Sequence, residues 1–207
     1  MIIARIKGGI GNQLFIYCAA KRLALFNNTE LVLDNASGFV RDLYNRHYQL
    51  DHFNISCKKA IYSDRLEPFS RIRRYLKRYL NSYKPFSQRS YLQQEGMDFD
   101  SRILNFRTNK KVFFEGYWQS ENYFKDIESV IREDLQILPP EDNINKIMMQ
   151  KIQNNNSIAI HIRYFDNEMN KTNNIKNFNN APFEYYKKAI IYCDKKIPNA
   201  HYFIFSD

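Results

Sequence analysis

The sequence has few cysteines and no long apolar run, and each absence narrows the classes of protein that it can encode. Three cysteines stand at positions 18, 57 and 193, without a Cys-x-x-Cys pair or another metal-ligand spacing. This pattern disfavours a disulfide scaffold or a zinc site and favours free thiols in a reducing cytoplasm. No stretch approaches the ~18 apolar residues that a membrane-spanning helix needs, and the N-terminus reaches a glycine pair too early for a signal peptide.

Glycine is also scarce, and the dinucleotide-binding fingerprint is missing. The chain has six glycines, three of which stand within residues 8–11. Leu14 occupies the place of the third glycine of Gly-x-Gly-x-x-Gly, so dinucleotide binding is unsupported.

The charge balance is strongly basic. Lys and Arg number 31 against 22 Asp and Glu, which gives a formal net charge of +9. A basic protein favours anionic partners, and nucleic acid, a membrane surface and a diphosphate-bearing substrate all meet that condition.

The order of the apolar segments predicts an α/β protein with parallel strands. Residues 2–6 form an apolar run that ends at a glycine pair, a helix with apolar spacing runs from Asn12 to Phe26, and a short strand follows at 31–33. Strand, helix and strand in this order form a βαβ unit, whose strands are parallel. Further strands are predicted at 112–118, 158–162 and 201–205, and further helices at 121–135 and 182–196.

Two breaks divide the chain. Pro139-Pro140 is the strongest of them, and after one more helix the run Asn154–Asn156 follows. We predict an N-terminal Rossmann-like domain at 1–152 and the start of a second domain at 153–207. Two strands are too few for a self-standing parallel sheet, so we expect the second domain to be incomplete.

The loop Gly8-Gly9-Ile10-Gly11-Asn12-Gln13 is the clearest candidate site. A strand that ends in glycines and opens a helix directs backbone N–H groups and the positive end of the helix dipole at one point, where phosphate can bind. Asn12 and Gln13 add amide donors. The same spacing also fits a structural tight turn with Asn12 as the N-cap, so spacing alone leaves both interpretations open.

A second candidate site lies at the C-terminal end of the strand 158–162. His161 and Arg163 share one face of that strand, and parallel α/β sheets build their ligand sites at this end. A guanidinium matches a pyrophosphate through paired hydrogen bonds and stabilises a departing nucleoside diphosphate. The alternative is an arginine in a structural ion pair beside a histidine in the core.

Four segments resemble the α-1,2-fucosyltransferases, which form family eleven of the glycosyltransferases. GGIGNQLFIYCAAKRLAL (8–25) is similar to the opening motif of that family, and residues 116–124 and 203–207 are similar to two later blocks. His161, Arg163 and Asp166 match its His-x-Arg-Arg-Gly-Asp-Tyr motif, in which Tyr164 and Phe165 replace the second Arg and the Gly. Within residues 116–124, Tyr117 and Trp118 either stack on a sugar or pack between strand and helix, with Ser120 as an N-cap.

The resemblance implies a GT-B fold, in which two Rossmann-like domains face each other across a cleft, the second being incomplete here. It implies transfer of L-fucose from GDP-β-L-fucose to the 2-hydroxyl of a galactoside, with inversion and without a metal or other cofactor. The implied partners are GDP-fucose and a galactose-containing glycan. From the lack of a membrane anchor in the sequence, we expect this glycan to be an intermediate of bacterial surface-polysaccharide or lipopolysaccharide synthesis.

The resemblance also implies roles for the matching residues. Arg163 holds the diphosphate and assists the leaving group, and His161 shapes the same site. Asp166 is the candidate base for the attacking hydroxyl, and Glu168 is a weaker candidate. The remaining contacts to donor or acceptor are assigned to Gly8, Gly9, Gly11, Asn12, Gln13, Ser206 and Asp207.

Residues 71–83 predict a basic amphipathic helix. Its apolar face is formed by Ile72, Tyr75, Leu76, Tyr79, Leu80 and Tyr83, and its basic face by Arg71, Arg73, Arg74, Lys77 and Arg78. A solvated basic face is the favoured interpretation. A patch for the anionic inner membrane or for lipid-linked acceptors comes next, and nucleic acid is least favoured because no groove-reading motif accompanies the charge.

A non-catalytic glycan- or nucleotide-binding protein is the alternative function. Tyr164, in place of a second arginine, favours it, and so does the absence of the later blocks of the family. The sequence does not define the oligomeric state or the identity of the acceptor.

Overall fold

A computed structural model describes residues 1–140, 142–162 and 181–206, and the chain divides into two compact units. The first unit is Met1–Leu138 and the second is Pro139–Asp207. This division is N-terminal to the predicted domain boundary at 152–153. The difference is one helix, Asn143–Gln153, which packs against the first strand of the second unit and therefore groups with it.

A five-stranded parallel sheet forms the centre of the first unit. Its strands are β1 (Ile2–Arg5), β2 (Leu31–Asp34), β3 (Lys58–Lys59), β4 (Tyr91–Gln93) and β5 (Val112–Glu115), in the order β3-β2-β1-β5-β4. The predicted parallel βαβ unit is confirmed. β3 and β4 were not anticipated, because two or three residues carry too little alternation to signal a strand.

Helix α1 (Ile10–Phe26) covers one face of this sheet and supplies much of the core. Ile16, Tyr17 and Leu23 are fully buried there, and removal of this apolar surface from water is the main force that holds the helix on the sheet. The helix begins at Ile10, with Gly9 as its N-cap residue. The interpretation of Asn12 as the N-cap is therefore wrong, because Asn12 already lies in the first turn.

The predicted helix at 121–135 forms only in part. Two short 3-10 turns, Glu121–Tyr123 and Lys125–Ile127, precede helix α3 (Glu128–Asp134). The turns are separated by Phe124, whose φ of −145° is not helical. Ser120 caps the first turn, since its hydroxyl accepts a hydrogen bond from Asn122 N, as the packing interpretation of this segment requires.

The opposite face of the sheet carries a small apolar cluster that includes Ile3, Val32 and Phe113. Helix α2 (Ser70–Ser82) lies beside it with its polar side inward. Arg74 and Asn81 are 5% and 4% exposed, and Lys77 Nζ lies 5.2 Å from the centre of the Phe113 ring. The favoured interpretation of a solvated basic face is therefore wrong for these positions.

The second unit contains helix α4 (Asn143–Gln153), strand β6 (Asn156–Ile162), helix α5 (Phe183–Lys196) and strand β7 (Ala200–Ser206). β6 and β7 are parallel, with Ile162 opposite Ser206. The predicted α/β class, with parallel strands in both units, is confirmed, whereas their facing across a cleft stays a prediction. In the described ranges, every helix is too short or too polar to span a bilayer.

The three cysteines carry free thiols, as predicted. Cys18 lies in the core of the first unit, and burial raises the pKa of its thiol to about 12. At neutral pH this thiol is therefore protonated and acts as a small apolar side chain.

Candidate functional site

The glycine loop lies where β1 enters α1, at the carboxyl edge of the first sheet. Gly8 has a φ of +79°, and a Cβ atom there would stand 2.8 Å from Asn12 Nδ2. Only glycine adopts this conformation without strain in so little space. A Cβ atom at Gly9 or Gly11 would meet no atom within 4 Å, so the outer side of the loop is open and a ligand can approach its backbone.

The buried side chain of Gln13 holds this loop in place through hydrogen bonds. Its Nε2 donates to Gly8 O and to His47 O, both at 2.9 Å, and its Oε1 accepts from Gln49 N at 2.9 Å. The residue is fully buried. Because both amide protons are already used, Gln13 contributes to a site here by holding the loop in place.

Asn12 joins the glycine loop to the segment after β5. Gln119 Nε2 donates to Asn12 Oδ1 at 2.6 Å, and Tyr117 lies close enough to Gly8 that a Cβ there would be 3.3 Å from its ring. Asn12 is half-buried, and its Nδ2 has no protein acceptor among the described residues. The two segments, more than a hundred residues apart in sequence, therefore form one continuous surface.

Trp118 does not belong to that surface. It is 1% exposed, stacks on Phe114 with ring centres 4.3 Å apart, and meets Tyr123 edge-on at 5.4 Å. The packing interpretation is confirmed for Trp118. Tyr117 remains partly exposed, with Lys7 Nζ 4.7 Å from its ring centre.

The ends of β1 and β5 hold a half-buried charge cluster. Arg5 Nη1 lies 2.5 Å from Glu115 Oε1, and the Tyr91 hydroxyl donates to the other oxygen of Glu115. Burial by itself raises the pKa of Glu115, but the attraction of Arg5, the Tyr91 hydrogen bond and the attraction of Lys7 outweigh it, so the pKa is lowered. Glu115 is therefore an ionised structural partner and a weak base.

The end of β2 holds a second, more deeply buried pair. Arg74 of α2 lies 2.9 Å from Asp34 Oδ2 and also donates to Ser37 Oγ at 2.7 Å and to Arg65 O at 2.9 Å. Arg5 donates to Ser37 as well, through Nε at 3.1 Å and Nη2 to the carbonyl at 2.8 Å. Ser37 thus connects the two ion pairs into one network.

A cleft of about 930 Å³ opens beside this network, between α2 and the carboxyl edge of the sheet. Its cationic lining consists of Arg5, Arg41, Arg71, Arg74 and Arg78, and Glu115 is the one acidic lining residue in ranges 1–140, 142–162 and 181–206. Within the described residues, Arg41, Arg71 and Arg78 have no carboxylate partner, and Arg78 Nε is buried without a hydrogen bond. The cleft therefore carries surplus positive charge and suits an anion.

Lys7 lies among the same charged groups. Burial is the main cause that lowers its pKa, the attraction of Glu115 raises it, and repulsion from Arg5 and Arg78 lowers it. An incoming phosphate or carboxylate would offset the repulsion between Lys7 and these two arginines.

Another cleft, of about 680 Å³, lies at the opposite edge of the sheet, near the starts of β2 and β3. Lys21, Glu30 and Lys58 are among its lining residues. Ligand sites of parallel α/β sheets lie at the carboxyl ends of the strands, so we place the candidate site at the carboxyl edge.

In the second unit, the structure brings two predicted site segments together. His161 lies opposite Phe205, and Ile162 lies opposite Ser206, at the carboxyl ends of β6 and β7. This is the edge at which a parallel pair presents ligand-binding groups. Four predicted site residues lie outside the described residues: Arg163, Asp166, Glu168 and Asp207.

One Asp-x-Asp triplet, Asp98-Phe99-Asp100, bears on the predicted metal independence. Asp100 caps a 3-10 turn by accepting from Arg102 N and pairs with the Arg102 guanidinium at 2.7 Å, a hydrogen bond that lowers the pKa of its carboxyl. Asp100 N donates to the Tyr123 hydroxyl at 2.7 Å. The triplet is thus a structural turn. The described ranges hold no cluster of three or more Asp, Glu, His or Cys side chains that could bind a metal ion. Metal independence stays a prediction.

The charged residues of the carboxyl edge were missed by sequence reasoning, although a signal for them exists. Each of three apolar strands ends in a charged residue: Arg5, Asp34 and Glu115. A charge directly after a buried parallel strand marks the edge where ligands bind. No comparable signal marks Arg74, whose partner stands 40 residues away.

Comparison with known proteins identifies the family of this chain. The model of glycosyl transferase family 11 matches residues 1–207. The α-1,2-colitosyltransferase of Escherichia coli is 29% identical over 210 residues, which cover 100% of this chain and 69% of that protein. The O-antigen biosynthesis glycosyltransferase WbnK of Escherichia coli is 27% identical over 218 residues, which cover 98% of this chain and 71% of that protein.

Solved structures of NodZ fucosyltransferases also show similarity. The NodZ α-1,6-fucosyltransferase soaked with GDP-fucose gives a TM-score of 0.48 at 14% identity, over 100% of this chain and 70% of that one. The NodZ fucosyltransferase from Bradyrhizobium gives 0.43 at 14% identity, over 100% and 71%. Because the family model matches the chain from its first residue to its last, the protein belongs to glycosyl transferase family 11.

Proposed function

We propose that the protein transfers L-fucose, or its 3-deoxy analogue colitose, from a GDP-activated donor to the 2-hydroxyl of a galactose-containing glycan, with inversion. Membership of family 11 supports sugar transfer. The name of the α-1,2-colitosyltransferase supports the α-1,2 linkage and a sugar of this kind. The name of the O-antigen biosynthesis glycosyltransferase supports a role in bacterial surface-polysaccharide synthesis.

The observation that carries the proposal is the contact between two motifs at one sheet edge. The hydrogen bond from Gln119 to Asn12 holds the glycine loop against the segment that follows β5. A surface built from two distant motifs, beside a cleft with surplus positive charge, suits a ligand with both hydroxyl and phosphate groups. The surface is open at Gly9 and Gly11, which a ligand site requires and a purely structural turn does not.

Each residue of the loop then has a distinct task. The first N–H groups of α1 lack partners within the helix and lie at the positive end of its dipole, so they face an oxyanion or a sugar hydroxyl. Asn12 Nδ2 is a further donor for the same ligand. Gln13 positions the loop, and Gly8 allows its tight turn.

The reaction is a single displacement. The 2-hydroxyl oxygen of the acceptor forms a bond to the anomeric carbon, the bond from that carbon to the GDP oxygen breaks, and GDP leaves with the electron pair. The hydroxyl proton passes to a base. At the carboxyl edge of the first unit, Glu115 and Asp34 are both committed to ion pairs, so Asp166 remains our candidate base, and Arg163 our candidate partner for the diphosphate.

Turnover with defined donors tests this proposal. The protein is incubated with GDP-L-fucose or GDP-L-colitose and a β-galactoside, GDP release is followed, and the product linkage is determined by NMR. We expect one of the donors to give an α-1,2 product. Arg163→Ala lowers kcat by about a hundredfold or more, because a missing charge-stabilising donor costs that much, and Asn12→Ala raises KM.

Arg132→Ala is the matched control, since Arg132 is exposed on α3 and, within the part of the chain that the structure describes, pairs only with Glu128, four residues away. It leaves turnover unchanged. GDP binding without turnover of either donor would contradict the enzyme proposal and favour a non-catalytic nucleotide-binding protein. An α-1,6 product would contradict the proposed linkage alone.

A further inference from the structure

Helix α2 presents its apolar side to solvent. The outward face of α2 consists of six residues that are 49–72% exposed: Ile72, Tyr75, Leu76, Tyr79, Leu80 and Tyr83. Large exposed side chains scattered singly are ordinary on a protein surface, but a contiguous apolar face of this kind marks an interaction site.

The orientation of the helix is locked by its inner side. Arg74 is paired with Asp34 at 2.9 Å, with side-chain exposures of 6% and 1%. Asn81 Oδ1 accepts from Ser90 N at 2.7 Å and from Tyr91 N at 3.2 Å, which ties the helix to β4. Rotation of α2 to bury its apolar side would leave the Asp34 carboxylate unpaired in the interior, which is strongly unfavourable, so the outward face stays exposed.

The charge around this face is of one sign. No acidic residue stands between Glu67 and Glu95, and that segment carries seven Lys and Arg. Of these, Arg71 and Arg73 lie on the flanks of the outward face, Lys84 follows its C-terminal end, and all three are exposed. Such a rim complements a surface with dense negative charge.

The aromatic side chains of the face suit a lipid headgroup layer. Tyr75, Tyr79 and Tyr83 form a row with ring centres 6.4 and 5.1 Å apart, and the Tyr83 hydroxyl donates to the Tyr79 hydroxyl at 2.9 Å. Amphipathic rings of this type concentrate at membrane–water interfaces, where one end is apolar and the other is wet.

We propose that the outward face of α2 docks onto an anionic lipid bilayer. The apolar side chains enter the headgroup boundary, and Arg71, Arg73 and Lys84 contact the lipid phosphates. A second copy of the chain fits less well, because two such faces in contact would bring the same basic rims together. Arg71, Ile72 and Tyr75 also line the cationic cleft, whereas the glycine loop is not part of this surface. Vesicle binding requires neither donor nor acceptor, so the docking does not depend on the proposed sugar transfer.

Vesicle co-sedimentation of the full chain tests the proposal. Vesicles of equal parts phosphatidylglycerol and phosphatidylcholine are compared with pure phosphatidylcholine vesicles, at low and at high salt. We expect binding to the anionic vesicles that weakens with salt, as charge attraction is screened. Leu76→Ser with Leu80→Ser weakens binding by at least about tenfold, because less apolar surface enters the bilayer.

Ile144→Ser with Ile147→Ser is the matched control, since both residues are exposed apolar side chains on α4. It keeps the affinity of the natural chain. Equal binding by the two double variants, or no binding of the natural chain to anionic vesicles, would overturn the proposal. So would a dimer in solution that Leu76→Ser with Leu80→Ser dissociates. Circular dichroism confirms that both double variants are folded.

Discussion

Replacement of Arg74 by Met tests the network that joins α2 to the carboxyl edge of the sheet. Met has a similar length and apolar stem but lacks the guanidinium, so the change removes the charge and leaves most of the packing. The lost contacts are those to Asp34 at 2.9 Å, Ser37 Oγ at 2.7 Å and Arg65 O at 2.9 Å. Asp34 then remains in the interior with 1% of its side chain exposed.

The expected cost follows from that burial. Removal of one partner from a buried ion pair destabilises a protein by about 3–5 kcal/mol, because the other charge is left without compensation. Asp34 keeps its hydrogen bonds from Ala36 N and Ser37 N, which places the expected loss nearer to 3 kcal/mol. That loss is a large share of the total stability of a domain, which is about 5–15 kcal/mol.

The assay is urea unfolding followed by the fluorescence of Trp118, the only tryptophan of the chain. Trp118 is buried in the first unit and stacked on Phe114, so its signal reports that unit alone. Arg73→Met is the matched control, because Arg73 is exposed and, among the described residues, donates only to Glu67 O at 3.2 Å. It changes the free energy of unfolding by less than about 0.5 kcal/mol.

A double variant separates the pair from its surroundings. Asp34→Asn removes the buried charge and keeps an oxygen acceptor, so Arg74→Met costs less in that background than in the natural chain. If Arg74→Met costs no more than Arg73→Met, or if the two changes are additive, the buried pair does not stabilise the unit as we have argued.

Four further substitutions are measured with the same fluorescence signal. Gly8→Ala destabilises the first unit by about 1–2 kcal/mol, since a residue with a Cβ atom is strained at the positive φ of this position. Gly11→Ala is its control and leaves stability unchanged or raises it, because a Cβ atom at Gly11 meets open space. Equal effects of the two substitutions would contradict this reasoning. Gln13→Leu costs about 2 kcal/mol, because the backbone of buried Gly8 and two less buried partners, His47 O and Gln49 N, lose their hydrogen bonds. A neutral change would show that the loop does not need this anchor. Because the pKa of Glu115 is lowered by folding, ionised Glu115 stabilises the folded state fully above the unfolded pKa of about 4.3, and this stabilisation is lost as the pH falls from there through the folded pKa. Glu115→Gln therefore reduces the loss of unfolding free energy at acid pH. An unchanged acid-pH dependence would refute the contribution of Glu115.

Local patterns predicted most of the regular elements. The helix at 10–26, the helix at 70–82 and five of the seven strands follow apolar periodicity that a short window contains. β3 and β4 were not predicted because they have only two and three residues. The helix predicted at 121–135 is interrupted at Phe124. Periodicity is a local property, since it reflects backbone hydrogen bonds between residues close in sequence.

The candidate site was predictable in its position but not in its contacts. The glycine loop and the strand end at His161 both lie at carboxyl edges, as their spacing indicated. The glycine-loop spacing predicts a ligand-binding amide at Gln13, whereas in the structure Gln13 Nε2 donates to Gly8 O and His47 O. The latter partner stands 34 residues away, and no sequence pattern records such a distance.

The sequence by itself determined that this protein has an N-terminal βαβ unit with a tight glycine loop, a basic segment at 68–94 and the motifs of glycosyl transferase family 11. Only the tertiary structure decided which side of α2 faces the sheet. Amphipathic spacing shows that a helix has two faces, but it does not say which one turns inward. Here Asp34, buried at the end of β2, requires a cation, and Arg74 supplies it, so the polar side is drawn inward and the apolar side is left exposed.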